Sequence, residues 1–148
     1  MVSDPPTILF GNMAQHAQST TVIITTQSTW TDIDSGYTDG NGTAFVFQNS
    51  KELKCVEPAD YMLNWNISLQ LVQINNINIV GGVSINGTVK TLTTAHGRIG
   101  AGNDLINVSG TGVLTIAIDD LIRLTLINLD STEDFTVEHA AITLFKLQ

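Results

Sequence analysis

Basic side chains, cysteine and long apolar runs are all scarce in this sequence of 148 residues. Only 6 Lys and Arg stand against 14 Asp and Glu, which argues against a nucleic-acid partner because phosphate binding needs clustered cations. The single cysteine, Cys55, excludes an intramolecular disulfide framework. No apolar run reaches the length of a membrane span, and the segment after Met1 lacks the features of a secretory signal. We therefore expect a protein made in the cytoplasm that partners neither nucleic acid nor membrane.

Charged residues are too few for a helical protein, at 14% of a sequence that is 43% hydrophobic. Amphipathic helices need Lys and Glu on their solvent side, whereas β-branched residues fit the surface of a pleated sheet. Residues 108–128 show this best, because apolar and polar residues alternate on both sides of a tight turn at Asp119-Asp120. Similar segments recur at intervals of roughly ten residues, with turn residues between them, which is typical of a β-sandwich or barrel. The sequence therefore predicts one all-β domain over residues 20–148.

Residues 1–19 are predicted to form an extended arm. Two prolines that favour an extended course precede a small apolar cluster: Pro5, Pro6, Ile8, Leu9 and Phe10. Such an arm could fold back onto its own domain, or it could dock on a neighbouring molecule. The first full strand is then expected over residues 20–30.

The longest regular strand is predicted between Pro58 and Leu71. One of its faces is apolar, with Tyr61, Leu63, Trp65, Ile67, Leu69 and Leu71. The other face is polar, with Met62, Asn64, Asn66, Ser68 and Gln70. So many side-chain amides on one face are stabilised most when other groups form hydrogen bonds with them. This face is therefore either in contact with solvent or covered by another chain. Further along, Asn86-Gly87 predicts a tight hairpin, and residues 135–147 predict a final strand.

Few residues suggest catalysis or metal binding. Asp32, Asp34 and Asp39 lie in a turn-rich loop and could supply oxygen ligands to a calcium ion, with ordinary Asx-turns as the alternative. Cys55 would be a nucleophile only if a histidine approached it, and no local motif pairs it with His96 or His139. The three histidines also lack the spacing of a zinc site. We expect no enzyme and no cofactor, with calcium as the one alternative.

Four segments together resemble the C1q/tumour-necrosis-factor jelly roll and cover about two-thirds of the chain. They are LKCVEPADYML at residues 53–63, VSINGTV at 83–89, the strand, turn and strand at 109–124, and HAAITLFKL at 139–147. In the third segment, Asp119-Asp120 stands where Gly-Asp is usual. Two features depart from the family pattern. Asp60 stands where the family commonly has Gly, and the outward face of residues 62–70 is more polar than the apolar trimer axis of the family's animal members.

The resemblance implies a two-sheet jelly-roll sandwich that assembles as a homotrimer. The polar strand face would then meet the threefold axis as an amide network, through Asn64, Asn66, Ser68 and Gln70. Alternatives for that contact are Arg123, Ile127 and Phe145.

Among such jelly rolls, the chain looks most like the free-standing examples of tailed bacteriophages. This implies a capsid decoration or cement protein on the outer surface of the virion, whose arm and base bind the major capsid protein. The alternative is a receptor-binding tip of a tail fibre or spike, with loops 31–42 and 91–103 recognising the host. A carbohydrate-active enzyme would need a pair of carboxylates in a cleft, and the sequence points to none.

Overall fold

The structure is a computed structural model that describes residues 8–71, 76–101 and 104–147, without the side chains of residues 17 and 18. Within these ranges the regular structure is β apart from one 3₁₀ turn at Thr91–Thr93, and no helix is long and apolar enough to span a membrane. The strands are β1 Phe10–Val22, β2 Thr31–Asp32, β3 Thr38–Asp39, β4 Phe45–Gln48, β5 Glu52–Cys55, β6 Ala59–Gln70, β7 Ile77–Ile85, β8 Thr88–Val89, β9 Ala95–Ile99, β10 Ile106–Ile116, β11 Leu121–Asn128 and β12 Phe135–Lys146. The all-β prediction is confirmed.

Five strands form the first sheet, here called sheet A, in the order β10-β6-β12-β1-β3. Every neighbouring pair is antiparallel. Regular pairing is interrupted twice, between His16 and Thr20 in β1 and between Val137 and His139 in β12. Register shifts of this kind mark β-bulges, which twist a strand locally and re-aim its side chains.

The second sheet, sheet B, follows the order β4-β5-β11-β7-β8, with β2 also pairing with β11 and β9 with β7. The acidic turn predicted at Asp119-Asp120 is present, and the Asp120 carboxylate accepts the Ala117 N–H at 2.8 Å. The strands on its two sides do not pair with each other. Since β10 belongs to sheet A and β11 to sheet B, the turn carries the chain from one layer of the sandwich to the other.

The core lies between the two sheets and follows the alternation in the sequence. Along β6 the burial pattern switches at nearly every residue, so the whole predicted apolar face is buried and its polar neighbours point outwards. β11 departs from this pattern because its outward Thr125 and Ile127 are buried as well. Sheet B is therefore covered on part of its outer side, whereas the outward residues of sheet A remain exposed or half-buried.

The predicted hairpin at Asn86-Gly87 joins β7 to β8. Both residues have positive φ angles, 52° and 80°, as a type I′ turn requires, and glycine adopts such angles without strain. The Asn86 side chain also ties the hairpin to the acidic turn, because it donates to Asp120 at 2.7 Å and accepts the Leu121 N–H at 2.9 Å. This turn therefore fixes the register of β7 against β11 as well as that of its own hairpin.

The N-terminal predictions need correction. β1 begins at Phe10, pairs there with Phe145 and continues to Val22, so residues 10–19 of the expected arm belong to a strand inside sheet A. For these residues, folding back onto their own domain is the correct alternative. The strand expected over residues 20–30 ends at Val22. Pro5 and Pro6, the prolines of the predicted arm, lie outside the described residues.

Candidate assembly interface

The outward side of sheet A presents four rows of side chains that run straight across its four longest strands. We call this surface the assembly face. In the order β10, β6, β12, β1, its rows are Val113, Met62, Phe145 and Phe10; Thr111, Asn64, Thr143 and Asn12; Ser109, Asn66, Ala141 and Ala14; and Asn107, Ser68, His139 and His16. Strand pairing alone places these side chains side by side, because residues opposite each other in an antiparallel pair share one face of the sheet.

The first row is apolar and exposed. Met62, Val113 and Phe145 leave 42%, 53% and 39% of their surface accessible, and Phe10 is half-buried beside them. Water contact of four neighbouring large apolar side chains is unfavourable, and contiguous patches of this kind mark surfaces that meet another protein. This row therefore gives the assembly face an apolar edge.

The two middle rows are made of amides, hydroxyls and small side chains. Asn12 donates from its side-chain nitrogen to the Thr143 hydroxyl at 2.6 Å and to the Ile142 carbonyl at 3.3 Å. Asn64 and Asn66 line an open depression of about 770 Å³ between β10, β6 and β12. Because small residues line part of this depression, a partner chain could approach closely there and form hydrogen bonds with the exposed amides.

The predicted interface residues divide into two groups. Asn64, Asn66, Ser68, Gln70 and Phe145 all lie on the outward side of sheet A, so the fold brings them together. The other two lie on β11 in sheet B, where Ile127 is buried and the Arg123 side chain is engaged within its own chain.

Sequence reasoning missed the contribution of β10 and β1 to this face. The β10 members of the rows are all exposed: Asn107, Ser109, Thr111 and Val113. Their alternation with Val108, Leu114 and Ile116 is visible in the sequence, but only the pairing of β10 with β6 shows that they extend the same surface. β1 was missed because the sequence pattern placed residues 10–16 in the arm.

Arg123 joins two carboxylates on the outer side of sheet B. Its Nε donates to Glu52 at 2.7 Å and its Nη1 donates to Asp32 at 2.8 Å. Burial alone would raise the pKa of Glu52, but hydrogen bonds from Gln48, Asn49 and Arg123, together with the Arg123 charge, hold that pKa below its usual value. The cluster clamps β2 and β5 against β11, which is a structural role.

The structure does not bring the three proposed calcium ligands together. Asp32 lies on β2 in sheet B, where it pairs with Arg123, whereas Asp39 lies on β3 in sheet A. Asp39 accepts the Asn41 N–H at 2.8 Å, which is the Asx-turn geometry weighed as the alternative. Asp34, between them, is exposed. Among the described residues, no group of three or more His, Cys, Asp or Glu is placed to hold a metal ion.

Cys55 is a core residue. Its buried thiol donates to the Glu57 carbonyl at 3.2 Å, and burial, reinforced by nearby carboxylates, raises its pKa. A thiol in these surroundings stays protonated and is a poor nucleophile. His96 is exposed on β9 and His139 lies on the assembly face, so the fold does not assemble the pairing considered from the sequence.

No protein-family model and no curated protein sequence matches this chain. Solved structures do. Eiger TNF from S. frugiperda has a TM-score of 0.65 at 12% identity, covering 95% of this chain and 93% of that one. The globular domain of zebrafish complement 1qA has a TM-score of 0.62 at 13% identity, covering 96% and 98%. Murine APRIL has a TM-score of 0.58 at 13% identity, covering 93% and 99%.

The fold is a C1q/TNF-like jelly roll. The likeness extends over nearly the whole chain and both sheets, which confirms the fold class expected from the four short segments of sequence. At 12–13% identity it concerns the fold alone.

Proposed function

We propose that this chain is a structural, non-enzymatic protein that forms a homotrimer through the assembly face. The observation that carries the proposal is the set of four registered rows on sheet A, which leave large apolar and amide side chains exposed together. We expect another copy of this chain to bind these rows, because the C1q/TNF resemblance of the sequence implies threefold assembly. The apolar row would supply burial, and the amide rows would supply directional hydrogen bonds that set the register between copies.

We further propose that the trimer is a bacteriophage capsid decoration, or cement, protein that binds the major capsid protein. The support is the resemblance of the sequence to free-standing phage jelly rolls, together with the apolar character of one end of the sandwich. Linking three weak contacts in one trimer raises the effective concentration of the second and third contacts. Modest binding by each chain would thus hold the trimer firmly on the shell.

The apolar end lies where β1 begins and β12 ends. Lys146 donates its backbone N–H to Leu9, and Leu147 donates to Asp60, so both ends of the described domain meet the start of β6 there. The turn before β6 and the acidic turn lie at the same end, because Asp119 donates its backbone N–H to the Cys55 carbonyl. Exposed apolar side chains gather at this end: Ile8, Val56, Ile118 and Leu147. We infer that this end is the base that seats on the capsid.

The decisive experiment is to count the copies of this chain in purified particles by quantitative mass spectrometry against the major capsid protein. Hundreds of copies per particle support the capsid location. A handful of copies would contradict it and favour the receptor-binding tip, in which exposed loops recognise the host. Absence from particles would contradict both proposals.

The base has its own test, with a matched control. Ile118→Asp places a charge in the apolar end, whereas Ile23→Asp places one beyond the other end of β1, and the two isoleucines are similarly exposed at 60% and 65%. We expect Ile118→Asp to weaken capsid binding in a co-sedimentation assay and Ile23→Asp to leave it unchanged. Equal binding by both variants would contradict the assignment of the base.

The arm is tested by deleting residues 1–7. A longer deletion that reached Gly11 would remove the start of β1 and its pairing with β12, so it would test folding as well. We expect the shorter deletion to lower capsid binding while the trimer stays folded. Unchanged binding would remove the arm from the proposal and leave the apolar end as the base.

A further inference from the structure

The last row of the assembly face contains a pair of imidazoles that stand side by side. His16 on β1 and His139 on β12 stand directly opposite each other. Their ring centroids are 4.4 Å apart, with the ring planes inclined at 45°. The residues are far apart in sequence and lack any recognised ligand spacing, so the fold alone brings them together.

The backbone beside this pair is irregular in both strands. The register shifts after His16 in β1 and before His139 in β12. Within the first shift, Ser19 has a φ of 47°, and its hydroxyl lies 3.0 Å from each carboxylate oxygen of Glu138. Positive φ at a non-glycine residue is costly, and β-bulges are common beside functional sites because they re-aim side chains. Two such shifts next to one pair of rings favour a local geometry that orients the two imidazoles.

We propose that His16 and His139 together bind a divalent transition-metal ion of the Zn²⁺, Ni²⁺ or Cu²⁺ class. Imidazole nitrogen is a preferred ligand of these ions. Around a tetrahedral ion with metal–nitrogen bonds of about 2.0–2.1 Å, two imidazole centroids lie roughly 5 Å apart. The observed separation of 4.4 Å therefore needs only small rotations of the rings. The formal net charge of −8 also favours a cation over an anion as the ligand.

The site takes two ligands from a single chain. Among the described residues, no group of three or more His, Cys, Asp or Glu is placed to hold a metal ion, so water would complete the coordination in an isolated chain. Since both histidines belong to the same chain, the proposal does not depend on trimerisation. Its location on the assembly face means that an ion bound there would also lie close to a second copy wherever that face is covered.

Isothermal titration with Zn²⁺ on the full-length chain, free of any polyhistidine tag, tests the site. We expect His16→Gln and His139→Gln each to weaken zinc binding at least tenfold. His96→Gln is the matched control, because His96 is exposed like His16 but lies on β9 in sheet B. It should leave the affinity unchanged. Calcium, which prefers oxygen ligands, should not compete.

A second measurement needs no variant. In imidazole-detected NMR of the native chain, zinc should move the resonances of two histidines together and leave the third in place. The proposal is overturned if native protein binds no zinc at millimolar concentration, if neither His16→Gln nor His139→Gln weakens binding, or if the three histidines respond alike.

Discussion

At the scale of single residues, the most informative contact is the one between Arg123 and Glu52. Glu52 is almost inaccessible, at 1% exposure, and its carboxylate is satisfied by Arg123 together with Gln48 and Asn49. A buried charge is tolerated only while such partners remain, because the penalty for taking it out of water is several kcal/mol. The cluster therefore stabilises the sandwich only as a complete set.

Arg123→Met should lower the free energy of unfolding by about 3 kcal/mol, because it leaves the buried Glu52 carboxylate without its positively charged partner. Lys54→Met is the matched control, since Lys54 also pairs with a carboxylate, Asp119, but both side chains are well exposed. Exposed pairs contribute about 0–1 kcal/mol. Urea unfolding of the two variants measures the difference, and equal losses would contradict the structural role of the Arg123 cluster.

The same carboxylate predicts how stability depends on pH. The pKa of Glu52 lies below its usual value in the folded state, so its stabilisation is fully present above that usual value and is lost as pH falls through the folded pKa. Glu52→Gln removes the titration. We expect native protein to be the more stable of the two at pH 7 and the gap to narrow in acid. A gap in urea unfolding that stays constant as the pH is lowered from neutral into the acid range would contradict this prediction.

At the scale of the elements, one glycine in β10 shows how closely the layers approach. The Trp65 indole donates to the Thr93 carbonyl at 2.8 Å, under the 3₁₀ turn that covers this part of the core. A Cβ added to Gly110 would lie 2.7 Å from the Trp65 nitrogen and 2.8 Å from that carbonyl. The glycine therefore leaves room for the hydrogen bond that holds the turn onto the sheet.

Gly110→Ala should destabilise the fold by about 1–3 kcal/mol, the usual range for overpacking a core. Gly100→Ala is the control, because its added Cβ would have no neighbour closer than 4.0 Å. Thermal unfolding followed by tryptophan fluorescence checks both variants. A loss of stability in Gly100→Ala equal to that in Gly110→Ala would contradict the packing explanation.

Elements with local patterns were predictable from sequence, whereas their partners were not. The alternation of β6 and the Asn86-Gly87 turn depend on neighbouring residues, and both are observed as expected. β1 was mistaken for an arm because small and polar residues such as Gly11, Asn12 and Gln15 obscure its period of two. The close approach of His16 to His139 depends on the pairing of the first long strand with the last, which no local pattern contains.

At the scale of the whole molecule, the two outer faces of the sandwich differ in which side chains they leave exposed. Sheet B covers part of its outer side with its own chain, burying Thr125 and Ile127 and engaging Arg123. Sheet A leaves one apolar row and three more polar rows exposed or half-buried across four strands. Because exposed apolar rows of this kind are removed from water by association, assembly should bury sheet A rather than sheet B.

Val113→Arg tests this asymmetry, with Val46→Arg as its control. The two valines are similarly exposed, at 53% and 50%, but Val113 lies in the apolar row of sheet A and Val46 lies on the β4 edge of sheet B. Three copies of an unpaired arginine in a buried interface should weaken the trimer roughly 100-fold or more. Native mass spectrometry should find native protein and Val46→Arg at three times the chain mass of 15.9 kDa, and Val113→Arg dissociated. A monomeric native protein, or a trimer lost only in Val46→Arg, would show that sheet A is not the surface through which the chain assembles.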